Sequence, residues 1–429
     1  MKLRSIFTLS ILALAAPIHA QQQVDTKQRA KAARDLAKAG EDGAVRLMPY
    51  VTDPDLSVRL EAVKALDQIG GPKTVDPLVR AAHDNDPEIQ IRATDGLVNA
   101  YLPGYIKSGI SGTLQRVGNS VRAKFSDTND QIIDAFVGVR PEVIEALGRL
   151  ATSGASLESR ANACRALGIL RGRAAVPQLL DALHSKDDQV MYEGLIALQK
   201  ILDPSAGPGV TFLLRDLNSK IQVAAIETAG LLRTREAAPG LRDALEHARD
   251  AKIKRAALSS LGMVGDPADH ALFLKSLSDS DEAIRAAAAE GLGRLKNPED
   301  RPMIEKSFME ERRMNPRLSL AFAVVSMGNL DASEFSALRY LVNTLNLKSY
   351  QKVAAAFLTE LARDRPVRQA VYPLLTGATK DEKIQLAAVL AASGDADSVP
   401  FLQKLQMDPD PDVAKEGIRN LRALRARLP

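Results

Sequence analysis

The chain has 429 residues, of which 45% are hydrophobic and only 4% aromatic, and it contains no tryptophan. Its formal net charge is +4 at pH 7, from 57 lysines and arginines and 53 aspartates and glutamates. Both signs of charge are mixed along the chain, and no concentrated basic stripe could neutralise nucleic-acid phosphates. This composition argues against nucleic acid as a partner, and a single cysteine excludes an intrachain disulfide.

Residues 1–20 have the three zones of a secretory signal. Lys2 and Arg4 form a basic start, an apolar stretch covers residues 6–16, and Ala20 precedes three glutamines. The apolar stretch is shorter than the roughly 20 residues that a membrane span needs. We therefore expect cleavage after Ala20 and a periplasmic or secreted mature protein, with retention as an uncleaved anchor as the alternative.

The mature chain is predicted to have almost no net charge. Removing Lys2 and Arg4 from the 57 basic residues leaves an excess of only two over the 53 acidic residues. No later apolar run approaches membrane length, so we expect no integral membrane segment after cleavage.

Residues 21–44 are polar and rich in alanine, which predicts an N-terminal cap on a repeat array. From residue 45 a unit of about 31 residues recurs, with the core Asp-x-x-Val-Arg-x-x-Ala-x-x-Ala-Leu-x-x-Ile/Leu-Gly, clearest over residues 55–70. Such self-similarity predicts a solenoid whose repeats contact mainly their neighbours. The anchor position, which is the Val of the core, is occupied by Val58, Ile89, Ser159, Val190, Ile221, Ile253, Ile284, Pro316, Tyr350, Ile384 and Val413.

Each repeat is predicted to contain two helices. Apolar residues around the anchor fall at spacings of three and four, which places them on one face of a first helix. An N-capping residue three positions before the anchor should accept the free N–H groups of the first turn. The predicted N-caps are Asp55, Asp86, Ser156, Asp187, Asn218, Asp250, Asp281, Asp381 and Asp410. Proline near the start of the second helix suits its unpaired first turn, at Pro77, Pro177, Pro239, Pro373 and Pro400.

The repeated core resembles the HEAT repeat, in the short bacterial variety named after phycobilisome lyases. The resemblance covers roughly residues 45–102 and 141–429, and it implies an all-α, right-handed α-solenoid of about twelve two-helix repeats. Because such arrays serve mostly as binding scaffolds, it also implies a protein partner. A protein free in the periplasm and one docked to an envelope complex are the alternatives, and we predict no cofactor.

The largest departure from the repeat lies between the anchors Ile89 and Ser159. Residues 103–140 are predicted to be a Gly-rich insertion in a degenerate repeat, because four glycines between residues 104 and 118 interrupt any helix there. An anion site, a calcium loop and a plain projecting loop are the alternatives; the P-loop pattern and the EF-hand spacing are both absent. We take this segment as the first candidate partner site, through Tyr105, Lys107 and Arg116.

A second candidate surface is the concave side of the solenoid, which we expect successive second helices to line. The candidate contacts alternate in sign, and a merely solvated face is the alternative for each of them. They are Arg80, Asp181, Arg242, Lys275 and Lys306.

Two enzyme families share this repeat type, and neither supplies a motif here. The deoxyhypusine hydroxylases hold iron through His-Glu dipeptides, but no histidine of this chain is followed by glutamate. Cys164 falls on the predicted core face and is expected to be buried and inert. We therefore predict no enzyme and no metal; the alternative is an enzyme or accessory protein of the lyase or hydroxylase type.

Overall fold

The computed structural model describes residues 25–105 and 131–428, and every regular element within these ranges is a helix. The chain forms two compact units. Unit 1 comprises Met1–Ile133 and Val139–Asp203, and unit 2 comprises Asp134–Gly138 and Pro204–Pro429. The prediction of an all-α fold is confirmed. No helix within the described ranges has both the length and the apolar character to cross a membrane.

The α-helices of unit 1 follow the chain in the order α1 (25–35), α2 (Glu41–Arg46), α3 (Leu56–Ile69), α4 (Val75–Ala81), α5 (Pro87–Tyr101), α6 (Pro141–Ser153), α7 (Leu157–Ile169), α8 (Val176–Ala182) and α9 (Asp188–Ile201). Its 3-10 helices are Leu36–Ala39, Tyr50–Thr52, Pro72–Thr74 and Arg173–Ala175.

The α-helices of unit 2 are α10 (Ser219–Leu231), α11 (Ala238–Glu246), α12 (Ala251–Val264), α13 (His270–Ser276), α14 (Glu282–Leu295), α15 (Arg301–Glu310), α16 (Met314–Ser326), α17 (Ala337–Thr344), α18 (Gln351–Leu361), α19 (Arg365–Val371), α20 (Lys380–Ser393), α21 (Val399–Gln406) and α22 (Pro411–Arg427). Its 3-10 helices are Pro204–Ala206, Pro208–Arg215, Arg235–Ala237, Pro267–Asp269, Pro298–Asp300, Tyr372–Gly377 and Ala396–Ser398.

The predicted N-caps are confirmed with one exception. Asp250, for example, accepts hydrogen bonds from the backbone N–H groups of Lys252 (2.8 Å) and Ile253 (3.0 Å). The prediction for Asp381 is wrong, because α20 begins earlier. Its N-cap is Thr379, which forms a reciprocal capping box with Glu382.

Consecutive first helices, which are the long helices that carry the anchors, pack closely at small residues. A Cβ added at Gly293 in α14 would lie 2.7 Å from the Cα of Ala323 in α16. One added at Gly262 in α12 would lie 3.1 Å from the Cα of Gly291 in α14. Only glycine permits so close an approach of the two helices. The long helices therefore form the most closely packed row of unit 2.

The expectation that second helices line the concave side is wrong for unit 2. Each long helix there contacts the next, whereas consecutive short helices among α11, α13 and α15 make few contacts with one another. Arg233, just after α10, donates to Glu360 in α18, four long helices further along, over 2.6 Å. Side chains can meet across several repeats only on the inside of a curve, so the long helices line the concave side.

Candidate functional site

The predicted insertion site is only partly described. Lys107 and Arg116 lie outside the described residues, and Tyr105 is the last described residue before them. The Tyr105 side chain is partly buried and hydrogen-bonded to Arg165 of α7. Burial raises the pKa of the Tyr105 phenol, and Arg165 only partly opposes this. Tyr105 therefore contacts the Arg165 cluster of unit 1, and its role as a partner contact stays a prediction.

Arg165 and Cys164 lie in a buried cluster with Glu193 of α9. Arg165 Nε is 3.5 Å from Glu193 Oε2, and Gln189 donates to Glu193 Oε1 over 2.9 Å. Burial raises the pKa of Glu193 and raises the pKa of the Cys164 thiol to about 12. The predicted burial of Cys164 is thus confirmed, and the reactive thiolate is strongly disfavoured there.

Arg242, a predicted partner contact, is engaged within the chain. Its Nε donates to Asp269 Oδ1 over 2.7 Å, and its guanidinium also contacts Asp266. The hydrogen bonds that Arg242 donates to Asp269 and Asp266 raise the pKa of Arg242. Arg242 therefore joins two successive repeats through its ion pairs, and its role as a partner contact stays a prediction.

The other second-helix candidates remain exposed on their short helices. Arg80, Asp181 and Lys275 are exposed at one equivalent position of α4, α8 and α13. Lys306 occupies that position in α15, and its ammonium lies 3.9 Å from Glu310 in a pair that is exposed on both sides. These four residues are called the short-helix row; Arg80 and Asp181 belong to unit 1, Lys275 and Lys306 belong to unit 2, and all four side chains stay exposed.

A partly buried ion network on the long helices of unit 2 was not found from the sequence. Arg294 donates from Nε to Glu360 Oε1 (3.0 Å) and from Nη2 to Glu360 Oε2 (2.9 Å). It also donates to Glu290 Oε2 (3.2 Å), while Ser319 donates to Glu290 Oε1 (3.0 Å). The concave side of unit 2 is therefore occupied here by contacts within the chain.

The two carboxylates of this network have opposite pKa shifts. Burial raises the pKa of Glu290, and Arg294 and Ser319 do not fully offset it. Burial also acts to raise the pKa of Glu360, but the hydrogen bonds and charges of Arg294 and Arg233 outweigh it and lower the pKa. The stability of this part of unit 2 therefore depends on the arginine charges.

The basic C-terminal helix α22 makes more contacts than a solvated cap would. Arg419 Nε donates to Asp134 Oδ2 over 3.1 Å, and the Arg422 guanidinium lies 5.6 Å from the centroid of the Phe136 ring. Arg427 donates to backbone carbonyl oxygens of the preceding repeat. Its arginines thus serve packing within unit 2.

An open cleft of about 390 Å³ lies in unit 1, between the ends of successive repeats. Arg80, which the sequence singled out, is part of its wall, and His83 beside it contacts Arg149 of α6. The lining residues are Val51, Thr52, Asp53, Pro54, Arg59, Arg80, His83, Asp84 and Asn85. The cleft brings basic groups from two regions of the sequence together.

Comparison with protein families identifies the repeat. A family model described as HEAT repeats matches residues 18–98 and 207–277. These two regions of the chain match HEAT repeats. The resemblance drawn from the repeated core is thereby confirmed, although no curated protein matches the chain in sequence.

Solved structures similar to this chain share little sequence with it. An engineered protein is 20% identical, with 89% of this chain and 98% of that chain covered and a TM-score of 0.40. The complex of CpcE and CpcF of phycocyanin lyase from Nostoc is 19% identical, with coverages of 63% and 94% and a TM-score of 0.37. Human deoxyhypusine hydroxylase is 18% identical, with coverages of 60% and 99% and a TM-score of 0.28. Scores this low carry no argument about function.

The histidines of the HEAT repeats lie in ordinary surface or repeat-joining contacts. His270 Nε2 is 2.7 Å from Asp300 Oδ2, and His247 Nδ1 is 3.3 Å from Asp243 Oδ1. Within residues 25–105 and 131–428, no three His, Cys, Asp or Glu side chains are grouped so that they could hold a metal ion. Among the described residues, His270 and His247 thus pair with single aspartates and are not part of a group of metal ligands.

Proposed function

We propose that the protein is an exported, non-catalytic HEAT-repeat scaffold that binds another protein in the cell envelope or outside the cell. The observation that carries this proposal is the short-helix row. Arg80 and Asp181 in unit 1, and Lys275 and Lys306 on successive repeats of unit 2, occupy the same position of their short helices and stay exposed. Stacked repeats present such positions at regular spacing, which suits recognition of an extended partner surface.

The polar groups of the long helices favour binding over catalysis. Arg294 is saturated by Glu290 and Glu360, and the Cys164 thiol is buried with a raised pKa. A catalytic base or nucleophile needs a side chain that is accessible and poised near the working pH. An enzyme of the lyase or hydroxylase type remains the alternative, and none of the contacts described above favours it.

Affinity capture tests the scaffold function. The mature chain should capture a stoichiometric protein partner from envelope extract, and Lys275→Glu/Lys306→Glu should lose that partner because two charges of the short-helix row are reversed. The matched control, Lys252→Glu/Lys296→Glu, reverses two exposed charges elsewhere in unit 2 and should keep the partner. Absence of any stoichiometric partner, or equal capture by all three chains, would contradict the proposal.

Export is a separate expectation. Because residues 1–20 have the zones of a secretory signal, mature protein should begin at Gln21 and occur in the periplasmic fraction or the medium. Intact-mass measurement of fractionated cells checks both points. A cytoplasmic pool that retains residues 1–20 would contradict export while leaving the scaffold function open to the capture test.

A further inference from the structure

The acidic side chains of the unit 1 cleft are already neutralised within the chain. Asp53 accepts from Arg29 Nε over 2.8 Å, and Asp84 accepts from Arg59 Nε over 2.6 Å. Arg59 Nη1 also donates to the backbone carbonyl oxygens of Asp53 (2.9 Å) and Pro54 (3.1 Å). These contacts hold the side chains in place, and the Arg59 charge is largely neutralised by Asp84 within the chain.

Arg80 and His83 line the cleft, Arg149 contacts His83 from beside it, and none of the three has an ion pair among the described residues. Arg80 and Arg149 are exposed, and Arg149 Nη1 lies 3.2 Å from His83 Nε2 while also contacting Nδ1. Besides the paired Asp53 and Asp84, Glu145, one helical turn before Arg149, acts on His83 through its charge, and no ion pair joins it to these side chains among the described residues. The cleft therefore has an excess of positive charge on α4 and α6.

The state of His83 is consistent with this excess. Partial burial lowers the pKa of His83, and the charges of Arg149 and Arg80 lower it further, with Glu145 opposing weakly. An anion bound beside these side chains would offset the two arginine charges that act on His83 and would raise its pKa.

We propose that this cleft binds a carboxylate-rich segment of the partner protein, with Arg80 and Arg149 as the groups that bind the carboxylates. Two guanidinium groups match planar carboxylates through paired N–H donors. The cleft is open rather than enclosed, which suits a peptide segment lying across it. The inference rests on the proposed scaffold function, because the partner supplies the acidic segment.

Fluorescence anisotropy with the full mature chain tests the inference. A labelled oligoglutamate peptide should bind at low salt, and a labelled oligolysine peptide should not. Arg80→Glu/Arg149→Glu should weaken oligoglutamate binding roughly tenfold or more, since two attractive charges become repulsive. Lys252→Glu/Lys296→Glu reverses two exposed charges outside the cleft and the short-helix row and should bind like the wild type. By NMR, the pKa of His83 should rise when the peptide is added.

Several outcomes would overturn the inference. Equal weakening by both double variants would show a general charge effect, and an unchanged pKa of His83 would place the peptide elsewhere. Displacement of the peptide by low concentrations of inorganic phosphate would identify an anion site of a different kind. The two proposals fail separately: partner capture by a chain that does not bind oligoglutamate contradicts only the cleft, whereas oligoglutamate binding without any captured partner contradicts only the scaffold.

Discussion

Replacing Gly293 by valine is expected to lower the free energy of unfolding by about 3 kcal/mol. The new Cβ would lie 2.7 Å from the Cα of Ala323, a backbone atom of the next long helix that no rotamer change can move away. Valine has only a slightly higher helix propensity than glycine, so this difference offsets only a few tenths of a kcal/mol of the lost stability. Circular dichroism followed through thermal and chemical denaturation measures the loss.

Gly377→Val is the matched control for this change. Gly377 is exposed at the end of a 3-10 helix, and a Cβ added there would meet no atom within 4 Å. The control should alter stability by roughly 0.5 kcal/mol or less. If both variants lost the same stability, the close approach of α14 and α16 would not limit the packing of unit 2.

Local features of the fold could be predicted from the sequence because each depends on a few neighbouring residues. The repeat period predicts two helices in each repeat. An N-cap requires only an Asp, Asn or Ser three positions before the anchor. The prediction of Asp381 as an N-cap is wrong because the sequence also contains a Thr-x-x-Glu capping box, and Thr379 caps the helix instead. A further signal was present: Gly168, Gly230, Gly262 and Gly293 all lie nine residues after an anchor. They mark the close row of long helices.

The ion network could not be predicted in the same way. Arg294 and Glu360 are 66 residues apart, and the long helix α16 lies between theirs in the chain. Whether they meet depends on the curvature of unit 2, which accumulates over several repeats and leaves no local pattern. The assignment of the concave side to second helices was wrong for the same reason.

Only some of the residues at the candidate cleft could be predicted from the sequence. Arg80 was identified from the repeat, because its position in a short helix is fixed by the period. Arg149 lies 66 residues after His83, beyond a segment that departs from the period. The repeat period is interrupted across residues 103–140, so the sequence does not predict the contact that α6 makes with α4. The pairing of Arg242 with Asp269 was likewise hidden, since exposure of a periodic position does not show what its side chain binds.

Replacing Arg294 by methionine is expected to cost about 3 kcal/mol at neutral pH, because it leaves Glu290 and Glu360 partly buried without their main cation. We expect the low end of the cost of breaking a buried ion pair, because Arg233 still donates a hydrogen bond to Glu360 in the variant. Lys306→Met is the control: it removes an exposed pair 3.9 Å long and should change stability by about 0.5 kcal/mol or less.

The cost of Arg294→Met should shrink on acidification. In the wild type, Arg294 helps hold the pKa of Glu360 below its ordinary value, so this stabilisation is present above the unfolded pKa and is lost as pH falls. In the variant, the raised pKa of Glu290 should rise further, and its protonation at falling pH removes the unpaired charge. Urea denaturation at several pH values measures the difference from wild type. A deficit that stays constant with pH would contradict the electrostatic origin and indicate that Arg294 acts mainly through packing on the Phe322 ring, 5.0 Å away.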